Sequence, residues 1–306
     1  DPHTVAAFRR RSLPHLEALF VQVLLLAREM KLLTLGRIAL DGTKVKANAS
    51  KHKALSYKHA QKIEAQLRAE VSALTAQAEA ADQVPLTEGM DVPAEIARRE
   101  ARLKALAEAK ATIEARAQER FEREQAEYQH KQAKRQSQRE AGKKPRGREP
   151  KPPQPGPRDT DQVNLTDEES RIMPVSGCGF AQCYNAQACV YTDTMLVVST
   201  HMTQATNDKQ EIVPALARLN ALPETLGTVT DLLADTGYFS GANVKACIEG
   251  NIQPSLAVAR EHHHLSVFER FAPDTPAPIT DDPVVLMMHQ LTTEAGRALY
   301  VLRKQT

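Results

Sequence analysis

Two aspartates, Asp41 and Asp235, stand where an apolar run gives way to a glycine-bearing turn. The first occurs in IALDGT and the second in LLADTGY. Strand ends of this kind commonly present ligand-binding groups in α/β sheets. Mg²⁺ needs oxygen ligands, typically one or two carboxylates completed by waters and substrate phosphates. Two such aspartates on neighbouring strands would supply these ligands, although each also suits an ordinary turn.

The elements around the two aspartates are predicted from apolar spacing. Residues 4–33 have helical spacing, which predicts one or two helices. Around Asp41, apolar residues alternate on both sides of an Asp-Gly pair, which predicts a hairpin of two short strands. After residue 161 the pattern predicts a second hairpin, a helix capped by Asn207 or Asp208, a strand ending at Asp235, a further helix and a last strand.

A long region between the aspartates has a helical composition. From Lys51 to about Ser137 it is rich in Ala, Glu, Lys, Arg and Gln, and apolar residues recur every three or four positions. Prolines and a glycine interrupt it at 82–93, so we expect two helices folded back on each other. The following residues, 138–160, are basic and rich in proline, which predicts a disordered or extended linker.

Composition restricts the class of protein. The net charge of +2 gives no overall attraction for a polyanion, so any nucleic-acid contact must be local. Four cysteines are too few for a disulfide framework in 306 residues, and their spacing with His201 fits no common zinc pattern. No run of about 18 apolar residues and no signal peptide are present. We therefore expect a cytoplasmic protein that does not contact membranes.

Five separated stretches carry a family resemblance: LDGTKVKANAS, NLTDEESRIM, CYNAQACV, LLADTGYF and Tyr300-x-x-Arg303. In this order they resemble the DDE-type transposases of bacterial insertion sequences, and the resemblance covers nearly the whole chain. It implies an α/β fold, a ribonuclease H-like mixed sheet with a long helical-hairpin insertion after the first strands. The implied parts are a helical N-terminal remnant (1–35), a first hairpin (36–50), a coiled-coil-like insertion (51–137), a basic linker (138–160) and the rest of the catalytic domain (161–306).

The same resemblance implies an enzyme that hydrolyses phosphodiesters and transfers DNA strands. Asp41 and Asp235 match the first two catalytic, metal-binding aspartates, with Mg²⁺ or Mn²⁺ as the cofactor. The supporting residues that it implies are Gly237, Tyr238, Tyr300 and Arg303. The third acid, a glutamate, is expected a few residues past Arg303. Because Asp1 is not a natural initiator and the last residues have no helix stop signal, we expect that sequence is missing at both ends. Without the third acid, we expect this piece to be inactive or nearly so.

DNA, both the transposon ends and the target, is the partner that the resemblance implies, and a homo-oligomer is left open. Lys44 and Lys46 beside Asp41 are predicted to contact phosphate, with a solvated strand face as an equal alternative. In the basic linker, the predicted DNA-binding residues are Lys143, Lys144, Arg146 and Arg148. Two other functions remain: a coiled-coil module that binds nucleic acid or protein without catalysis, and a metal-dependent nuclease of the same fold.

Overall fold

The computed structural model describes residues 2–80, 91–142, 144, 145, 147–177, 179–258 and 276–303. The chain divides into two compact units. We call Asp1–Lys46 with Cys183–Thr306 the sheet unit, and Ala47–Gln182 the helical unit. Among the described residues, no helix is both long enough and apolar enough to cross a membrane.

The sheet unit is built on a mixed sheet whose strand order is β6-β5-β1-β7-β8, with strands numbered along the whole chain. The three strands β6, β5 and β1 are antiparallel neighbours, whereas β1, β7 and β8 run parallel. The fold class is therefore α/β with a mixed sheet, as predicted. The strands are β1 (Leu35–Lys46), β5 (Gly179–Tyr191), β6 (Val197–Thr203), β7 (Gly227–Ala234) and β8 (Gln253–Leu256).

Helices accompany this sheet, and three of those described begin after a residue whose side chain caps them. Gly250 ends α5, as its sequence predicts, and the side chain of Ser240 caps the start of that helix. The main core is formed by apolar side chains of β1, β7 and the short helices, including Ile38, Leu40 and Leu232. The helices are α1 (Pro2–Glu29), α4 (Ile212–Asn220), α5 (Gly241–Glu249), α6 (Pro283–Thr292) and α7 (Glu294–Leu302).

The hairpin predicted at Asp41 is wrong. β1 is one continuous strand through Asp41-Gly42, and every residue from Ile38 to Lys46 is paired with β5. The Asp-Gly pair has turn chemistry, but an unbroken ladder to a distant strand satisfies the same backbone groups. By contrast, the hairpin predicted across Thr192 to Thr194 is confirmed, since β5 and β6 pair as antiparallel neighbours.

The helical unit contains the two predicted helices, α2 (Tyr57–Ala80) and α3 (Val92–Glu140). They are antiparallel, because Glu70 of α2 pairs with Arg99 whereas the earlier Glu64 pairs with the later Lys110. Their shared core includes Leu67, Leu106, Ala109 and Ile113. The unit also contains β2 (Ala54–Ser56), which pairs with β3 (Gln162–Asn164), and β4 (Arg171–Val175), which pairs with β5.

The helical unit is larger than the predicted insertion. It extends to Gln182, whereas the sequence placed everything after residue 160 in the sheet domain. α3 extends to Glu140, three residues into the predicted basic segment; from Ala141 on, the described part of that segment has neither helix nor strand, as predicted, but it is not a free linker. Arg158 pairs with Glu124 of α3 at 3.0 Å, and Arg139 of α3 pairs with Glu149 at 3.3 Å. Ion pairs to the neighbouring helix therefore hold a segment whose composition predicted disorder.

Candidate functional site

Asp41 and Asp235 lie on adjacent parallel strands at matching positions. In the ladder between β1 and β7, Ala39 is the partner of Leu233. Asp41 follows Ala39 by two residues, and Asp235 follows Leu233 by two residues. Asp41 Oδ1 accepts the amide of Gly42 at 2.8 Å, and Asp235 Oδ1 accepts the amide of Gly237 at 2.8 Å. These bonds orient both carboxylates, and no described residue donates to either Oδ2 atom.

Tyr238 shares the electrostatic environment of both aspartates. Its side chain is buried, and burial raises the pKa of its hydroxyl most strongly. The negative charges of Asp208, Asp41 and Asp235 raise the same pKa further. The predicted supporting residue Tyr238 is therefore a neutral hydroxyl close to three carboxylates.

Asp208, which the sequence predicted only as a helix cap, is the third of these carboxylates. Its Oδ1 accepts hydrogen bonds from the side-chain amides of Asn185 at 2.7 Å and Gln187 at 2.9 Å, and Lys44 Nζ lies at 3.4 Å. Its Oδ2 and Asp235 Oδ1 lie on the same side of Gly237, because a Cβ on that glycine would be 3.5 and 2.9 Å from them. The predicted cap of α4 is wrong: Asn207 Oδ1 accepts the Lys209 amide and caps the short 3-10 turn Asp208–Gln210, whereas α4 begins after Glu211 without a side-chain cap.

A polar network therefore connects β5 to the turn that precedes α4. Gln187 lies opposite Gly42 in the ladder and also accepts a hydrogen bond from the Tyr238 hydroxyl. Asn185 and Gln187 are both fully buried. One sequence signal could have revealed them. Every second residue of β5 from Cys183 to Cys189 is buried, and the two between these cysteines, Asn185 and Gln187, carry polar amides where apolar residues are usual.

The other predicted site residues lie on β1, on or next to α7, and in the basic segment. Lys44 and Lys46 occupy the face of β1 opposite to that of Asp41, since side chains alternate along a strand. Tyr300 lies on α7 with the guanidinium of Arg303 over its ring at 5.3 Å. Of the predicted DNA-binding residues in the basic segment, Lys144 and Arg148 are exposed, and Lys143 and Arg146 fall outside the described residues.

The face of β1 that carries Asp41 borders a shallow cavity of about 540 Å³. Asp41 and Thr43 line it together with the small or apolar residues Ala186, Ala188 and Met202. The motif NLTDEESRIM lies elsewhere, in the helical unit, where Asn164 Oδ1 accepts the amides of Thr166 and Asp167 and closes a turn.

None of the described His, Cys, Asp and Glu side chains form a group of three or more arranged to hold an ion. Cys183 and Cys189 are buried free thiols, and His201 forms a buried pair with Glu211 at 2.8 Å. Asp41 and Asp235 thus offer oriented oxygens at matching positions of two interior strands rather than a closed cage, and this suits a cation that keeps waters and substrate oxygens.

Comparison of the chain with protein-family models, with curated proteins and with solved structures finds no match.

Proposed function

We propose that the chain carries the metal-binding part of a DDE transposase, an enzyme that hydrolyses and rejoins DNA phosphodiesters. The observation that supports this most is the register of β1 and β7, which brings Asp41, inside β1, and Asp235, just after β7, to matching positions along neighbouring parallel strands. The mixed sheet, interrupted by the helical unit after β1, agrees with the ribonuclease H-like fold that the family resemblance implies.

In this proposal Asp41 and Asp235 hold Mg²⁺ or Mn²⁺ through the Oδ2 atoms that lack described donors. The Gly42 and Gly237 amides hold each Oδ1, so that neither carboxylate must be reoriented when a cation binds. The bound metal would lower the pKa of a nucleophilic water or 3′-hydroxyl and stabilise the leaving oxygen. Lys44 is engaged with Asp208, so its contact with a phosphate requires that this ion pair opens.

Metal binding tests the proposal directly. The loss of the free Mn²⁺ signal in electron paramagnetic resonance would measure binding, with Mg²⁺ as competitor. We expect Asp41→Asn and Asp235→Asn each to weaken binding by at least about tenfold. The matched control is Asp231→Asn, a carboxylate on the same strand four residues earlier, which should bind Mn²⁺ as the unchanged chain does.

Two outcomes would contradict the proposal: no Mn²⁺ binding by the unchanged chain, or binding that both variants retain. We expect no robust cleavage of duplex DNA by this chain with Mg²⁺, because Asp41 and Asp235 supply two of the three implied acids. Robust cleavage that Asp235→Ala abolishes would show that two acids suffice, and would contradict that expectation while supporting the site.

A further inference from the structure

Positive charge is concentrated in one part of the helical unit. Residues 131–158 contain ten Lys and Arg against two Glu, a net charge of +8. The preceding stretch of α3, residues 91–130, contains eight Lys and Arg against nine Asp and Glu. Because the whole chain has a net charge of only +2, the last turns of α3 and the segment after it form a local cationic region.

The segment after α3 returns along that helix and is held there. Ion pairs join Arg158 to Glu124 and Arg139 to Glu149, and Arg135 donates to the carbonyl oxygen of Arg148 at 3.5 Å. A groove of about 480 Å³ lies between the two, lined by Tyr128 and Lys131 of α3 and by residues 150–154. The described part of the segment therefore lies along the last turns of α3, next to the basic residues of that helix.

Most cations in the rest of the helical pair are neutralised by neighbours. Lys110 pairs with Glu64, and Arg99 pairs with both Glu70 and Glu95. Four exposed cations there, Lys62, Arg102, Lys104 and Arg123, form no ion pair with a described residue either, but acids are about as numerous as cations around them. In residues 131–158, where two acids stand against ten Lys and Arg, four exposed cations form no ion pair with any described residue. They are Lys134, Lys144, Arg148 and Lys151, and we call them the basic surface.

The composition around the basic surface selects among anionic partners. Residues 131–158 contain no aromatic side chain, and the groove beside them offers the bases of a single strand one partly buried ring, Tyr128, on which to stack. Their only non-proline apolar residues, apart from glycine, are Ala133 and Ala141, so no apolar face can insert into a lipid interface. Repeated phosphates along a duplex need neither feature, because Lys and Arg bind them through charge alone.

We propose that the basic surface binds the phosphate backbone of duplex DNA without reading its bases. This binding is a property of the helical unit and does not require a metal at Asp41 and Asp235. The helical unit, which separates β1 from most of β5 in the sequence, would then bind DNA even if Asp41 and Asp235 bind no metal.

Fluorescence anisotropy with two labelled duplexes of unrelated sequence, in EDTA, tests this. The variant Lys134→Gln/Lys144→Gln/Arg148→Gln/Lys151→Gln should bind both duplexes at least about tenfold more weakly at moderate salt. The slope of log affinity against log salt should become shallower by up to about 3.6, since each phosphate contact contributes about 0.9.

The matched control removes the same charge from the same unit. It is Lys62→Gln/Arg102→Gln/Lys104→Gln/Arg123→Gln, four exposed positions outside residues 131–158. Far-UV circular dichroism should show equal helix content in both variants. The proposal is overturned if the control loses as much affinity as the test variant, if the test variant binds unchanged, or if the unchanged chain prefers anionic phosphatidylserine vesicles or single strands to the duplex.

Discussion

Gln187 donates from its side-chain amide to Asp208 Oδ1 at 2.9 Å, across 21 residues of sequence. The same buried side chain accepts a hydrogen bond from Tyr238, and it lies opposite Gly42 in the ladder. One residue of β5 thereby links the strand of Asp41, the turn before α4 and the turn that follows Asp235. Four expected outcomes follow from this network and from the burial around it.

Replacement of Gly42 by Ala should destabilise the sheet unit. A Cβ there would lie 2.3 Å from Gln187 Nε2 and 3.1 Å from the Tyr238 hydroxyl. Gln187 can move away only by breaking buried hydrogen bonds, so we expect a loss of about 1–3 kcal/mol in the free energy of unfolding. Gly36→Ala, on the same strand with its nearest atoms at 3.9 Å, is the control for denaturant unfolding. Equal losses of unfolding free energy in the two variants would show that Gln187 and Tyr238 do not crowd a side chain at position 42.

Asp208→Ala should cost more stability than removal of an exposed carboxylate. It leaves Asn185, Gln187 and Lys44 without their common acceptor. Because Asp208 is partly exposed, we expect about 1–3 kcal/mol rather than the cost of a fully buried charge. The control is Asp193→Ala, which removes an exposed carboxylate that accepts from Arg37, Tyr191 and Thr192 at the surface and should cost about 1 kcal/mol or less. Urea unfolding of both variants would measure this, and a larger loss for Asp193→Ala would refute it.

The hydroxyl of Tyr238 should remain protonated in alkaline solution. Burial and three neighbouring carboxylates raise its pKa above the ordinary value of 10.0. Since the folded-state pKa exceeds the unfolded one, the associated stability is complete below about pH 10 and is lost as the pH rises further. Absorbance near 295 nm should give the same phenolate signal for the unchanged chain and Tyr238→Phe until unfolding. A phenolate that appears near pH 10 only in the unchanged chain would show that the hydroxyl is accessible.

Cys189 and Cys247 should be unreactive toward thiol reagents in the folded chain. Burial raises the pKa of each thiol to about 12, so almost no thiolate is present near pH 8. Alkylation with iodoacetamide, followed by peptide mass spectrometry, should label neither residue before the chain is unfolded in guanidinium chloride. Labelling of either thiol at the rate of an exposed cysteine would contradict the burial.

Local sequence patterns predicted much of the secondary structure. The apolar stripes predicted α2 and α3 and the break between them, and the cap chemistry at Ser240 and Gly250 suits the ends of α5. These features depend on residues a few positions apart, whose side chains compete for the same few backbone groups. The position of Asp235 at the end of β7 was predicted in the same way.

Only the tertiary structure decided the path of β1 and the surroundings of Asp41. Asp-Gly favours a turn locally, but nine paired residues of β5, about 145 positions away, keep the strand extended. Asp208 was likewise missed as a site residue, since its partner Lys44 is 164 positions distant. The basic segment shows the same limit: its composition predicted a free linker, whereas ion pairs with α3 hold it in place. A local pattern carries no information on such pairs, because their free energy exists only after distant segments have packed together.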